Sequence, residues 1–294
     1  MKRKLLLIVN PVAGMMKTKT TLFNITNTFC KEGYFVTTQI TQHRGHATEL
    51  VIKYGASFDI IVCCGGDGTL NEVIEGLLKA NINTPLGYIP SGSTNDFANT
   101  LQLSSKPTQA ASDIITGSEY KLDIGLFGER YFSYIASFGA FTAASYKTAQ
   151  EVKNTIGHMA YILEGIRELP TIQPYNVTFA TEDKVYDGDY IFGSITNSTS
   201  VAGLVKLRGD LVDLCDGLFE VILVKNPQNI AQLNKIISSI VTSDFNNEMF
   251  EFFKASKLNI VSAEPLSWTL DGEHVPDVSR VKICNIPGAV TLVK

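Results

Sequence analysis

The sequence predicts an α/β plus β-rich fold: a largely parallel α/β domain over residues 1–125, then an antiparallel, β-sandwich-like domain over 126–287. Three observations carry this. Up to Leu126, apolar strand-like runs alternate with amphipathic helical stretches, the pattern of repeated β–loop–α units with helices on both faces of a sheet. The stretch FDIIVCCGGDGTLNEVIEGLL, Phe58 to Leu78, joins a buried strand to a helix through a glycine loop. Beyond Leu126 the rhythm changes to short strands separated by turn residues.

In the first domain, Leu5 to Val9 is a continuous apolar strand that ends at Asn10-Pro11-Val12-Ala13-Gly14. A helix from about Lys19 to Lys31 follows, turning Leu22, Phe23, Thr26, Phe29 and Cys30 inward. Phe35 to Ile40 is the next strand; the loop Thr41 to His46 then leads to a helix from about Ala47. Ile60 to Cys64 is β-branched enough for a buried strand. After Gly65-Gly66-Asp67-Gly68, Thr69 with Glu72 reads as a capping box, and Leu70, Val73, Ile74, Leu77 and Leu78 form one apolar stripe. A strand at Leu86 to Ile89, the loop Pro90 to Phe97, a helix from about Thr108 to Thr116 and a strand at Tyr120 to Leu126 complete the unit.

The second domain reads as strands at Arg130–Ser137, Asn176–Thr181, Val185–Ile195, Gly217–Val224, Lys257–Val261 and Ser267–Leu270. Helical stretches interrupt at about Ile156–Leu169 and Asn229–Val241. Glu182-Asp183 and Asp187-Gly188 are turn material. A final strand, Ala289 to Val293, is expected to return to the first domain, which residues 288–294 would then complete.

Composition excludes several classes of function. Of the 294 residues, 45% are hydrophobic and 18% charged, with a formal net charge of −4, so nucleic-acid binding has no electrostatic support. The five cysteines contain no C-x-x-C and read as reduced thiols. The apolar run after Met1-Lys2-Arg3-Lys4 lasts only five residues, too short for a secretory signal, and no stretch approaches a membrane span. A cytoplasmic location is expected.

In parallel sheets, ligands bind beyond the carboxyl ends of the strands, where NPVAG, TQHRGH, GGDGT and PSGSTND would all lie. A glycine loop opening a helix offers free N–H groups to an anion, although most such loops only make a tight connection. The chain lacks both G-x-x-x-x-G-K-[ST] and G-x-G-x-x-G at this turn. Carboxylates beside phosphate act through a cation or a water, and on that basis Asp67, Asp96 and Asp123 are candidates for a hydrated magnesium shell; each alone also fits a helix cap or turn. His43, His46, His158 and His274 show no metal-ligand spacing.

The string GGDGT resembles the nucleotide-phosphate loop of diacylglycerol, sphingosine, ceramide and NAD kinases and, more loosely, phosphofructokinases. NPVAG, GGDGTLNE, PSGSTNDFA, Leu122-Asp123-Ile124-Gly125 and Leu270-Asp271-Gly272-Glu273 occur in the order found in diacylglycerol-kinase-type lipid kinases, and the chain resembles their soluble bacterial members over nearly its whole length. NAD kinases share GGDG but lack the NDF segment and the late LDGE. Ser93 stands where the family more often has threonine.

This resemblance implies an NAD kinase/phosphofructokinase-like nucleotide-binding domain and an ATP- and Mg²⁺-dependent kinase that phosphorylates a hydroxyl of a neutral lipid such as diacylglycerol. The nucleotide would lie against Asn10, Pro11, Val12, Ala13, Gly14, Thr41, Gly65 to Thr69, Asn71, Glu72, Ser93 and Asn95. Glu273 would be the proton acceptor, the substrates meeting in the interdomain cleft; the competing assignment makes Asp67 the base and Glu273 a turn carboxylate, and without the resemblance Glu273 reads as an exposed hairpin carboxylate. Related kinases hold a structural magnesium through the carboxylate at Asp216 and the carbonyls at Asp213 and Leu218, a stretch that also fits a solvated acidic turn. Transient contact with the inner face of the membrane is expected, and a homodimer is left open. The alternatives are an NAD kinase-like enzyme for a soluble substrate and a catalytically silent nucleotide- or lipid-binding regulator.

Overall fold

A computed structural model describes residues 3–13, 17–92, 95–139, 173–201, 205–207 and 212–294. The chain divides into two compact units: Met1–Asp123 with Pro287–Lys294, and Ile124–Ile286. The helix expected at Ile156–Leu169 lies outside the described residues.

In the first unit, β1 (Lys4–Val9), α1 (Lys17–Lys31), β2 (Phe35–Ile40), α2 (His46–Tyr54), β3 (Ile60–Gly65), α3 (Asp67–Lys79), β4 (Leu86–Pro90), α4 (Asp96–Thr100) and α5 (Pro107–Thr116) alternate along the chain. Strand β5 (Glu119–Phe127) follows and runs past the unit boundary. Strands β2, β1, β3 and β4 lie side by side in that order, all parallel. Leu292 and Val293, at the C-terminal end of the chain, pair with Leu86 and Gly87 of β4, also in parallel.

Burial explains why these runs are apolar without alternation. Leu5 to Val9 are all at most 2% exposed, because helices cover both faces. One face packs Leu5, Leu7, Val9, Val62 and Cys64 against Ile25, Phe29 and Ile114. Helices α2 and α3 approach closely at Gly76, where a Cβ would stand 2.7 Å from that of Val51. Burial pushes the Cys63 thiol well above its ordinary pKa and the Cys64 thiol up to about 11, so both act as small apolar side chains.

The second unit is antiparallel. It contains β6 (Arg130–Phe132), β7 (Ile135–Gly139), β8 (Tyr175–Ala180), β9 (Val185–Thr196), β10 (Ser200–Val201), β11 (Val205–Lys206), β12 (Phe219–Lys225), α6 (Ile230–Thr242), β13 (Phe250–Ala255) and β14 (Lys257–Leu270). The last strand, β15 (Glu273–Val293), crosses into the first unit. Strand β9 gives its first half to β8 and its second half to β7, and β14 is divided between the same two partners. The core centres on Trp268, wholly buried, with Phe127 and Phe138 rings 5.1 and 5.0 Å away.

The two runs expected at Lys257–Val261 and Ser267–Leu270 are one strand, β14, with a register shift between Val261 and Leu266. Pro265, which has no N–H to give a ladder, sits in that irregular stretch.

Candidate active site

The strand order β2-β1-β3-β4 reverses direction between β1 and β3, since β1 leads to β2 on one side and to β3 on the other. Such a switch point leaves room for a ligand beyond the strand ends. The first turn and a half of α3 lies there and binds the loop after each of the other three strands.

Thr69 takes the loop after β1: Asn10 Nδ2 donates to its hydroxyl at 2.8 Å, while Asn10 Oδ1 accepts the Val12 N–H at 3.1 Å. Glu72 takes the loop after β2, its carboxylate accepting the N–H groups of Gly45 and Ala47 at 2.8 and 3.1 Å. Asp67 takes the loop after β4, its Oδ2 accepting the N–H of Asp96 at 2.9 Å. The capping box expected from Thr69 and Glu72 is therefore not formed. Helix α3 starts earlier, at Asp67 behind Gly66, and both side chains reach to neighbouring loops instead.

The glycines of the loop have different reasons to be there. A Cβ on Gly65 would stand 2.6 Å from that of Thr69, and one on Gly66 would stand 3.2 Å from Gly92 Cα, where the loop after β4 passes. A Cβ on Gly68 would meet no atom within 4 Å, and its φ is not positive, so packing does not call for a glycine there. The N–H groups of Thr69 and Leu70 close on Gly66 O, leaving those of Asp67 and Gly68 without an intrahelical acceptor. The loop after β4 is held by Asn95, whose amide both accepts from Gly92 N–H and donates to Gly92 O, each at 2.9 Å.

The acidic residues are partly gathered. Asp67 is raised to about 6 by burial and then by the neighbouring Asp96 charge; the Asp96 carboxyl is raised by its own burial. Tyr88 donates to Asp67 Oδ1 at 3.4 Å. Asp123, wholly buried on β5, accepts the Gly288 N–H at 2.7 Å. Thr41 is 9% exposed at the end of β2, its N–H bonded to Val9 O. Pro11, Val12 and Ala13 form the turn after β1, with Val12 85% exposed, and Asn71 lies on α3. Gly14 and Ser93 lie outside the described residues.

His43, His46 and Glu49 offer ligand atoms within 4.8 Å of one another, a grouping the sequence spacing did not suggest. Their geometry is poor for a metal. The two imidazoles are stacked at 4.8 Å with 29° between their planes, so their lone pairs do not converge, and His46 Nδ1 already accepts the Gln42 N–H.

In the second unit, Glu273 opens β15 directly after a tight turn whose residues Asp271 and Gly272 have φ of 48° and 86°. Two successive left-handed residues are the pattern of a type I′ hairpin, which Asp-Gly favours. Asp271 was not among the expected site residues, yet it is 8% exposed and its carboxylate accepts the N–H groups of Ser133, Tyr134 and Ile135. Glu273 itself is paired with Arg130, Nη2 to Oε2 at 3.5 Å.

The remaining acidic stretch, 213–218, precedes β12. Asp213 Oδ1 accepts from Cys215 N–H at 3.1 Å, and Asp216 Oδ1 accepts from Leu218 N–H at 2.9 Å. Asp216 Oδ2 is 2.9 Å from the ammonium of Lys254, a residue with no place in the sequence reading of this turn.

Two family models match the chain. The diacylglycerol kinase catalytic domain covers residues 4–127, and the YegS C-terminal NAD kinase beta sandwich-like domain covers 135–294. A diacylglycerol kinase of Bacillus subtilis (strain 168) is 32% identical over 271 residues, 91% of this chain and 89% of that protein. The chain belongs to the diacylglycerol kinase family. It is an enzyme of the lipid kinase class. A diacylglycerol kinase of Staphylococcus epidermidis (strain ATCC 12228 / FDA PCI 1200) is likewise 32% identical, covering 93% of this chain and 87% of that one. A crystal structure of a diacylglycerol kinase from Bacillus anthracis str. Sterne shares the fold at a TM-score of 0.77 and 21% identity, covering 99% of this chain and 97% of that one. A second structure from that organism does so at 0.81 and 24%, with the same coverage. The α/β plus β-sandwich-like architecture is thus the family's own. Among the described residues, no helix is long and apolar enough to cross a membrane.

Proposed function

We propose that this diacylglycerol kinase family member transfers the γ-phosphate of ATP, with Mg²⁺, to the hydroxyl of diacylglycerol, forming phosphatidic acid at the inner face of the membrane. The observation that carries the reading is the first turn of α3. Free amides, an open space at Gly68 and the paired carboxylates Asp67 and Asp96 stand together at a strand-order switch point.

Both substrate and metal suit these residues. The open space at Gly68 is where a phosphate could approach the backbone, beside amides at the positive end of a helix. Asp67 and Asp96 raise the cost of each other's charge, and a divalent cation held through them, directly or through water, would offset it. ATP supplies the phosphoryl group, and Mg²⁺ screens the charge on its oxygens. Asn10, Pro11, Val12, Ala13, Gly14, Thr41, Gly65, Asn71, Ser93 and Asn95 would line the nucleotide. Thr69 and Glu72 hold the surrounding loops in place.

Glu273 is the proposed general base, removing the proton of the lipid hydroxyl. Arg130 beside it and the Asp271 turn behind it hold its position. In this reading Asp123 completes the acidic set from β5.

The test is labelled γ-phosphate transfer by the purified protein to diacylglycerol, ceramide, monoacylglycerol and NAD in parallel, with Mg²⁺ and with EDTA. Label in phosphatidic acid, dependent on Mg²⁺, is expected. Label in NADP instead, or in none of the acceptors, would overturn the reading.

A further inference from the structure

The structural magnesium that the family resemblance implies at the acidic turn meets an obstacle in this chain. Asp216, its one expected carboxylate ligand, has both oxygens engaged: Oδ1 by the Leu218 N–H at 2.9 Å and Oδ2 by Lys254 Nζ at 2.9 Å. Lys254 is not a stray surface residue. On β13 it stands directly opposite Glu220 of β12 in the antiparallel register, and its ammonium is 3.1 Å from Glu220 Oε1. Glu220 has 0% side-chain exposure, and neither of its oxygens has a hydrogen-bond partner among the described residues. The 3.1 Å approach is an ion pair. Among the described residues the ammonium is the counter-charge of Glu220, whose carboxyl burial raises to about 7 even so; without it that carboxyl must take up a proton or stay buried and unpaired.

A divalent ion bound to Asp216 would have to sit about 2.0–2.1 Å from the carboxylate oxygen if it were magnesium. At Oδ2 the ammonium already lies against the oxygen, so the two cations compete for that place, while at Oδ1 the Leu218 N–H takes one of the two lone pairs. Displacing Lys254 would also strip Glu220 of its partner.

We propose that the Lys254 ammonium is the resident cation of this turn, bridging Asp216 and Glu220 where relatives hold a metal, so that residues 213–218 are ordered without magnesium. The lysine comes from β13 and the carboxylates from the turn and β12, so the bridge ties the turn to two neighbouring strands.

Thermal unfolding of the full chain in EDTA and in saturating Mg²⁺ tests this in wild type, Asp216→Asn and Lys254→Met. Magnesium bound elsewhere shifts wild type and Asp216→Asn alike, so the comparison between variants isolates the turn. The expected result is an equal magnesium shift in wild type and Asp216→Asn. In EDTA, Lys254→Met should melt lower than wild type by about 5 °C or more, and magnesium should recover part of that loss. A larger magnesium shift in wild type than in Asp216→Asn would overturn the proposal, because the turn would then already bind metal. So would an unchanged melting temperature in Lys254→Met. If Lys254→Met does not fold, the first comparison alone still decides.

Discussion

The carboxylate of Asp67 accepts the backbone N–H of Asp96 at 2.9 Å, joining the start of α3 to the start of α4. This contact brings two acidic side chains close together in a half-buried place, and their charges work against each other.

A pH dependence follows. Asp67 is raised from 3.8 to about 6, first by burial and then by Asp96. In the unfolded chain it ionises near its ordinary value, so between these two pH values the folded state holds the extra proton. Its contribution is therefore most favourable at low pH and is lost as pH rises from about 4 to about 6, by roughly 2–3 kcal/mol. Urea unfolding in EDTA across this window should show that fall, and Asp67→Asn should make it shallower, leaving the part that comes from Asp96 and Glu220, whose carboxyls burial also raises. Equal slopes in the two proteins would mean that Asp67 is not the group responsible.

The loop glycines separate packing from ligand binding. Gly68→Ala should leave stability unchanged or raise it by about 0.5–1 kcal/mol, because alanine is the better helix former. ATP affinity should nevertheless drop, by about tenfold or more, since the new methyl fills the space assigned to phosphate. Gly66→Ala should instead destabilise the fold, by about 1–2 kcal/mol, since its Cβ would stand 3.2 Å from Gly92 Cα. Calorimetry with ATP and denaturant curves on both variants check this. Normal ATP affinity in Gly68→Ala would make the loop a connection only.

Asp271 should matter as much as Glu273, for a different reason. Asp271→Ala leaves the N–H groups of Ser133, Tyr134 and Ile135 without that acceptor and should cost about 3 kcal/mol or more. Asp271→Asn keeps one acceptor oxygen and should recover much of that stability, with a reduced kcat and unchanged ATP affinity. Wild-type stability in Asp271→Ala would remove the turn from the account.

How far the sequence carried the reading depended on range. The GGDGT loop and the apolar run before it were legible because glycine, β-branching and helical spacing act within a dozen residues. The same local logic misread Thr69 and Glu72: their spacing fits a capping box, but Asn10 and the Gly45–Ala47 backbone offer partners that no local rule can see. Asp271 was legible only as half of an Asp-Gly turn, since its three bonds go to residues 136–138 positions away. Lys254 and Glu220 were missed for the same reason, being neighbours only through strand register. Strand β15 was seen only at its end, because Pro276 and Pro287 interrupt the alternation that marks a strand.

The most direct test of the central claim is the turnover of diacylglycerol in vesicles at saturating ATP and Mg²⁺, wild type beside Glu273→Gln, with ATP affinity measured on both. The glutamine keeps the shape and removes the basicity. The account predicts phosphatidic acid from wild type and a kcat lower by about 10²–10⁴-fold in Glu273→Gln, with ATP affinity nearly intact. No lipid product from wild type, or near-wild-type turnover in Glu273→Gln, would contradict it.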